Sequence, residues 1–199
     1  MPGWRKGHAA PIVPLTFPAL RFSAERNRDI MANESQVTIA GEVVTIRPIR
    51  MTDTEMESSF IRRLSPQTRR YRFLGGVKEL SATELSRLCD VDGRHSMAFV
   101  ATTRDAGRET EIGVSRYAPN SSADVREIAV TVADDWQGRG LGTMLMKQLI
   151  KSARDNGVKH LYSVDFADDA AMRALADDLG MSARGDPANP QQTIYSLEL

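Results

Sequence analysis

The strongest constraint in this chain is a run of alternating glycines, Gln137-Gly138-Arg139-Gly140-Leu141-Gly142, set between a strand-like segment and an amphipathic one. Upstream, Arg126-Glu127-Ile128-Ala129-Val130-Thr131-Val132 has the β-branched content of a strand, and Ala133-Asp134-Asp135-Trp136 leads out of it. Downstream, Leu141, Leu145, Met146, Leu149, Ile150 and Ala153 fall on one helical face. Glycine lets the backbone take left-handed angles and lets a ligand come close. A helix start leaves N–H groups without intrahelical partners, which favours an anion there. The unit reads strand, anion-cradling turn, helix.

Two common phosphate motifs do not fit. A P-loop needs Gly-Lys-Ser/Thr; here Gly142 is followed by Thr143 with no lysine before it. A dinucleotide fingerprint needs Gly-x-Gly-x-x-Gly, whereas these glycines stand at 138, 140 and 142. A glycine-rich turn without a ligand is the remaining plain alternative.

The 199 residues suit one domain with an appendage, and 41% hydrophobic content supplies an ordinary core. Lys+Arg 26 balances Asp+Glu 26, so nothing global argues for nucleic acid. No apolar run is long enough to span a membrane. Cys89 is the single cysteine, which excludes an internal disulfide and fits a cytoplasmic setting. The three histidines are widely separated and make no metal-ligand pattern with it.

The first thirty residues carry four of the nine prolines, and five basic side chains against two acidic ones. That composition buries little surface, so residues 1–40 read as a disordered or weakly ordered extension, or in part as sequence upstream of a start at Met31; a basic docking arm is the alternative.

Within the rest, Val43–Ile49 reads as a strand with Pro48 near its end. Thr52 and Glu55 predict a capping box and a helix to Leu64, Ser65-Pro66 starts a second helix, and Ser81 with Glu84 caps a third, ending near Cys89. Met97–Thr102 and Glu111–Tyr117 read as a hairpin pair leading to the strand before the glycines. After the long helix, His160–Phe166 is a strand, Ala170–Leu179 a helix and Thr193–Leu199 a last strand, with room for a short one near Met181. Meander strands followed by strand–helix units imply a mixed α/β sheet.

The segment Ile128 to Gly142, with Gln137-x-x-Gly140-x-Gly142 directly after a strand, resembles the acetyl-CoA-binding signature of the GCN5-related N-acetyltransferase (GNAT) superfamily, Gln/Arg-x-x-Gly-x-Gly/Ala, at every specified position. Met172 to Met181 is similar to the family's late helix, which usually ends Leu-Gly-Phe, and Thr45-Ile46-Arg47-Pro48 to its opening strand. Ser65 to Phe73 and Glu127-Ile128-Ala129-Val130 look most like the acetyltransferase domain of bacterial protein-lysine acetyltransferases; the acyl-CoA-synthetase-like domain often joined to those is absent from this sequence.

The resemblance implies a single GNAT-like α/β domain over residues 41–199. It would have a mixed central sheet of six to seven strands, flanking helices and a splayed parallel strand pair. It implies an N-acetyltransferase that moves an acetyl group from acetyl-CoA to a primary amine, a protein lysine or a small molecule, by direct ternary-complex attack. No metal, nucleic acid or membrane is implied, and a homodimer is compatible with it. The pyrophosphate would lie on the N–H groups from Gln137 to Thr143, through Gly138, Arg139, Gly140, Leu141 and Gly142. The pantetheine arm would pair with the strand through Ile128, Ala129, Val130 and Val132, with an N–H near Val130 on the thioester oxygen.

An ammonium with a pKa of roughly 10.4 must lose a proton before it attacks. Glu127 is the candidate base. Alternation places it with Ala129 and Thr131, opposite Ile128, Val130 and Val132, and the competing reading is an ion pair with Arg116 or Arg126. The tyrosine that many members carry in the late helix is missing, since Leu175 is followed by Ala176; Tyr162 and Ser163 are weak substitutes. That gap keeps open a non-catalytic acyl-CoA-binding regulatory domain. Arg62, Arg63, Arg69, Arg70 and Arg72 form a basic cluster that suits either an acidic acceptor or a solvated face.

Overall fold

The computed structural model describes residues 34–75, 79–105, 107–120, 122 and 124–199. Eight strands form one sheet: β1 (Ser35–Ile39), β2 (Glu42–Pro48), β3 (Met97–Asp105), β4 (Arg108–Pro119), β5 (Val125–Val132), β6 (His160–Phe166), β7 (Ser182–Asp186) and β8 (Asn189–Glu198). Among the described residues five α-helices accompany them: α1 (Thr54–Arg63), α2 (Pro66–Arg72), α3 (Ala82–Cys89), α4 (Leu141–Asp155) and α5 (Ala170–Asp178). The sheet order is β1-β2-β3-β4-β5-β6-β8-β7. Every neighbouring pair is antiparallel except β5 and β6.

The sheet is thus larger than the six to seven strands expected. The additional strand, β1, begins upstream of residue 41 and pairs with β2 from Ser35↔Ile46 to Ile39↔Glu42. Its Ile39 is buried in the core. Pro48 lies beyond the reach of β1, so its missing N–H removes no ladder bond on that side. The short strand expected near Met181 is β7. The first thirty-three residues lie outside the described ones.

Two apolar layers sandwich the sheet. On one face α4 lays Leu141, Leu145, Met146, Leu149 and Ala153 against Tyr117, Ile128 and Leu161, each buried leucine contributing about 1.5–3 kcal/mol. On the other, Phe60 and Leu64 at the end of α1 pack with Cys89, Ala98, Val100 and Val114. Ser65 and Ser81 cap α2 and α3 through their hydroxyls, the latter as a full capping box with Glu84. The Thr52–Glu55 box does not form. A short 3-10 turn, Met51–Asp53, precedes α1, and Asp53 accepts from the Arg50 N–H and from Arg47.

The second layer contains a buried charge cluster. Arg116 on β4 donates to Glu57 of α1 at 2.7 Å and to the Leu88 carbonyl of α3 at 2.9 Å. Glu111 is fully buried nearby, and burial together with Glu57 pushes its carboxyl well above the usual carboxylate range. Arg116 is thus the cation that balances Glu57, while Glu111 has no side-chain cation bonded to it among the described residues.

Candidate active site

β5 and β6 pair only at Val125↔His160, Arg126↔Leu161 and Glu127↔Tyr162. Beyond that point β5 continues from Ile128 to Val132 paired with β4 alone, and β6 runs on from Ser163 to Phe166 paired with β8. The sheet therefore opens into a wedge whose vertex is Glu127. Peptide groups on its β5 edge are available to an extended ligand.

The wedge leads into the glycine turn. Gly138 and Gly140 have φ of 70° and 79°, the left-handed region that glycine tolerates and other residues resist. A Cβ on either would meet nothing within 4 Å, so these glycines are required by backbone shape. Gly140 is the N-cap of α4, and no side chain caps that end. The first backbone bond back to Gly140 comes from Met144, which leaves the N–H groups of Leu141, Gly142 and Thr143 directed outward.

A cavity of about 800 Å³ follows the wedge and the turn. Glu127, Ile128, Ala129, Val130, Val132, Gln137, Gly138, Gly140, Leu141, Gly142 and Thr143 all border it. Arg139 does not: its guanidinium stacks over the Trp136 ring, 5.0 Å from the centroid. Gln137 borders the space, yet its amide points back into the protein, donating to the Val132 carbonyl at 3.0 Å and to the Thr68 hydroxyl at 3.2 Å.

α2 bridges this cavity. At one end Asp134 accepts from the Ser65 N–H (2.8 Å), the Ser65 hydroxyl (2.6 Å) and the Thr68 hydroxyl (2.6 Å). At the other, Arg70 pairs with Asp168 at 3.3 Å and lies 3.9 Å over the Phe166 ring, while the Tyr71 hydroxyl donates to the Asp168 carbonyl. The rest of the basic cluster is similarly engaged. Arg69 donates to the carbonyls of Arg62 and Leu64, Arg63 to that of Glu111, and Arg62 to Ser58 and Ser59. Only Arg72 of this group borders the cavity.

Partial burial raises the pKa of Asp134, but the hydroxyls of Ser65 and Thr68 and the Ser65 N–H outweigh it and hold the carboxyl below its usual value. A carboxyl whose pKa is lowered in the folded state stabilises above the unfolded value and loses that contribution as pH falls through the folded one. Asp134 is exposed, so solvent screening holds the expected cost of Asp134→Ala to about 0.5–1 kcal/mol at neutral pH. Urea denaturation should show this gap closing as pH falls below the ordinary carboxylate range; a gap unchanged with pH would contradict the assignment.

Glu127 lies on the face of Ala129 and Thr131, while Ile128 packs into the α4 core with Val130 and Val132 against it, as alternation predicts. It is half-buried, and Tyr162 donates to its Oε2 at 3.3 Å. Asn120 in turn donates to the Tyr162 hydroxyl at 2.8 Å. Burial raises the Glu127 pKa, and Tyr162 and Arg72 offset only part of that. Arg116, one of the two expected ion-pair partners, is held by Glu57 instead. Tyr162 was legible only as a weak acid candidate; its place beside Glu127 follows from the parallel register.

Asp165 went unread in the sequence, and Arg72 was legible only as a member of the basic cluster. Asp165 borders the cavity from β6, and Arg72 borders it from α2 within electrostatic reach of both Glu127 and Asp165. Cys89 is buried in the second core with its thiol pushed up to about 12, which removes it as a nucleophile. Among the described residues no group of His, Cys, Asp and Glu could hold a metal ion, and no helix is long and apolar enough to cross a membrane.

The Acetyltransferase (GNAT) family profile matches residues 67–181, more than half of the chain, from the first turn of α2 through α5. The chain belongs to the GNAT family. It is 48% identical over 159 residues to the acetyltransferase PA5475 of Pseudomonas aeruginosa, covering 80% of this chain and 86% of that protein. It is 33% identical over 141 residues to the acetyltransferase Pat of Mycolicibacterium smegmatis, covering 70% of this chain and 41% of that longer protein. Among solved structures, the GNAT domain of S. lividans PAT superposes with a TM-score of 0.75 at 24% identity, over 84% of this chain and 98% of that one, which establishes the common fold. In this GNAT protein the opened strand pair and the uncapped glycine turn are therefore features of an acyltransferase scaffold.

Proposed function

We propose that this protein transfers an acetyl group from acetyl-CoA to a primary amine, a protein lysine or a small amine, by direct attack in a ternary complex. One observation carries the reading: the wedge between β5 and β6 runs from Glu127 straight into the uncapped N-terminus of α4. The backbone of residues 138–143 suits a pyrophosphate, and the free edge of β5 suits the amides of the pantetheine arm. Acetyl-CoA supplies the thioester carbon that the amine attacks. An N–H near Val130 donates to the thioester oxygen, and Glu127 takes the proton from the attacking nitrogen. Among the described residues, Glu84, Glu127, Asp134, Asp169 and Asp178 border the cavity together with Arg72 and Arg87, an acidic excess that favours an acceptor that arrives as an ammonium. Gln137 and Arg139 shape the turn rather than contact the phosphates through their side chains.

Calorimetric titration with acetyl-CoA, followed by thiol release with poly-L-lysine and a panel of small amines, tests this. Binding with steady thiol release and an N-acetylated product is expected. Tight binding with no turnover on any acceptor would point instead to a regulatory acyl-CoA-binding domain, the reading that Ala176 keeps open. Gly140→Val forces a β-branched residue into left-handed backbone, at a cost of about 1–2 kcal/mol, and distorts the N–H cradle. The affinity for acetyl-CoA should fall about tenfold or more while the fold persists; unchanged affinity would move the phosphate site elsewhere.

A further inference from the structure

Departure of a thiolate is helped by a proton donor on the side away from the base, and Asp165 stands there. Tyr162 is the last β6 residue in register with β5, opposite Glu127. Three residues further along each strand are Asp165 and Val130, so Asp165 faces Val130 across the wedge. Tyr162 shares a face with Glu127, to which it is bonded, and alternation puts Asp165 on the opposite face, toward the start of α5. Asp165 borders the cavity, and its Oδ2 is buried with no hydrogen-bond partner among the described residues. A buried carboxylate oxygen without a partner is costly, and a proton relieves that cost.

The groups facing it agree. Burial is the main influence; the Ser163 hydroxyl on its own strand, within hydrogen-bonding reach of the carboxyl, opposes it, Asp169 at the head of α5 and Glu127 on β5 add like charge, and Arg72 on α2 offsets part of that. Together they push the carboxyl up to about 6. A pantetheine arm filling the wedge would exclude more water and raise it further.

We infer that Asp165 is the proton donor to the departing CoA sulfur, an inference that rests on the acetyl-transfer reading above. The amine nitrogen forms a bond to the thioester carbon, and the carbon–sulfur bond breaks with its electron pair on sulfur. Asp165 Oδ2 gives its proton to that sulfur, yielding the free thiol. Glu127 receives the proton leaving the nitrogen and releases it to solvent, and Asp165 is reprotonated from solvent. An ammonium acceptor loses one proton through Glu127 to solvent before attack and a second by the same route as the amide forms, so with one proton placed on CoA the balance is one set free. Transfer from a carboxyl near 6 to a thiolate whose acid has a pKa of roughly 8.5 is downhill.

Infrared difference spectra of the protein with and without acetyl-CoA read the proton directly. A protonated-carboxyl band, shifting in heavy water, is expected in the wild-type complex at pH 6 and below, where a carboxyl titrating near 6 holds its proton at least half of the time, and absent in Asp165→Asn. With poly-L-lysine as acceptor, the variant should release thiol about tenfold to hundredfold more slowly from acetyl-CoA. From acetyl-seleno-CoA, whose selenolate leaves readily without a proton, the loss should be less than about threefold. No carboxyl band in the wild type, or equal slowing with both donors, overturns the inference. If the wild type transfers nothing to poly-L-lysine, that acceptor class fails while the infrared band still decides whether Asp165 carries the proton.

Discussion

Glu127→Gln is expected to slow acetyl transfer by about a hundredfold to ten-thousandfold while leaving acetyl-CoA affinity within about threefold. The substitution keeps the side-chain shape and an oxygen for the Tyr162 hydroxyl, yet cannot accept a proton. The pH profile supplies the sign. Burial raises the Glu127 pKa above the ordinary carboxylate value, and a base works only when deprotonated. In the wild type, kcat/KM should therefore rise with pH through an acid limb displaced upward from the usual glutamate range. The residual activity of the variant should lack that limb. A variant with wild-type turnover would return Glu127 to a purely structural role beside Tyr162.

Arg116→Met is expected to destabilise the fold by about 3–5 kcal/mol, because it strands the Glu57 carboxylate in a layer that water does not reach. Glu111 cannot compensate, since it is a second acid in the same layer, whose carboxyl burial and Glu57 push well above the usual carboxylate range. The same substitution frees the Leu88 carbonyl, which ties α3 to the sheet below the cavity. Urea denaturation measures the loss. Adding Glu57→Gln to Arg116→Met should recover a large part of it, since the uncompensated charge is then gone. A single variant within about 1 kcal/mol of the wild type, or a double variant no better than the single, would contradict this account of the cluster.

What could be read before the structure followed from local rules. The Gln137–Gly142 turn, the face of Glu127, the capping of α2 and α3 and the amphipathic α4 are each determined by residues within a few positions of one another. What escaped depends on pairing between distant segments. Ser35–Ile39 alternates too weakly to announce a strand, and becomes one because the free edge of β2 accepts it. The Tyr162–Glu127 contact and the placement of Asp165 need the parallel register of β5 and β6, which no periodicity encodes. The arginine cluster is similar: its composition suggested a recognition surface, whereas α2 spends Arg69 on helix carbonyls and Arg70 on Phe166 and Asp168. Asp53 outcompeted the expected Thr52–Glu55 box because Arg47, buried on β2, needs a carboxylate within reach.

The central claim is that the opened strand pair and the glycine turn together seat acetyl-CoA with its thioester beside Glu127. A crystal structure of the Glu127→Gln variant with acetyl-CoA tests this most directly. The account predicts the pyrophosphate on the N–H groups of residues 138–143, the pantetheine arm in the wedge between β5 and β6, and the thioester oxygen within hydrogen-bonding distance of the N–H near Val130. Acetyl-CoA bound outside the wedge, or its thioester lying remote from residue 127, would contradict it.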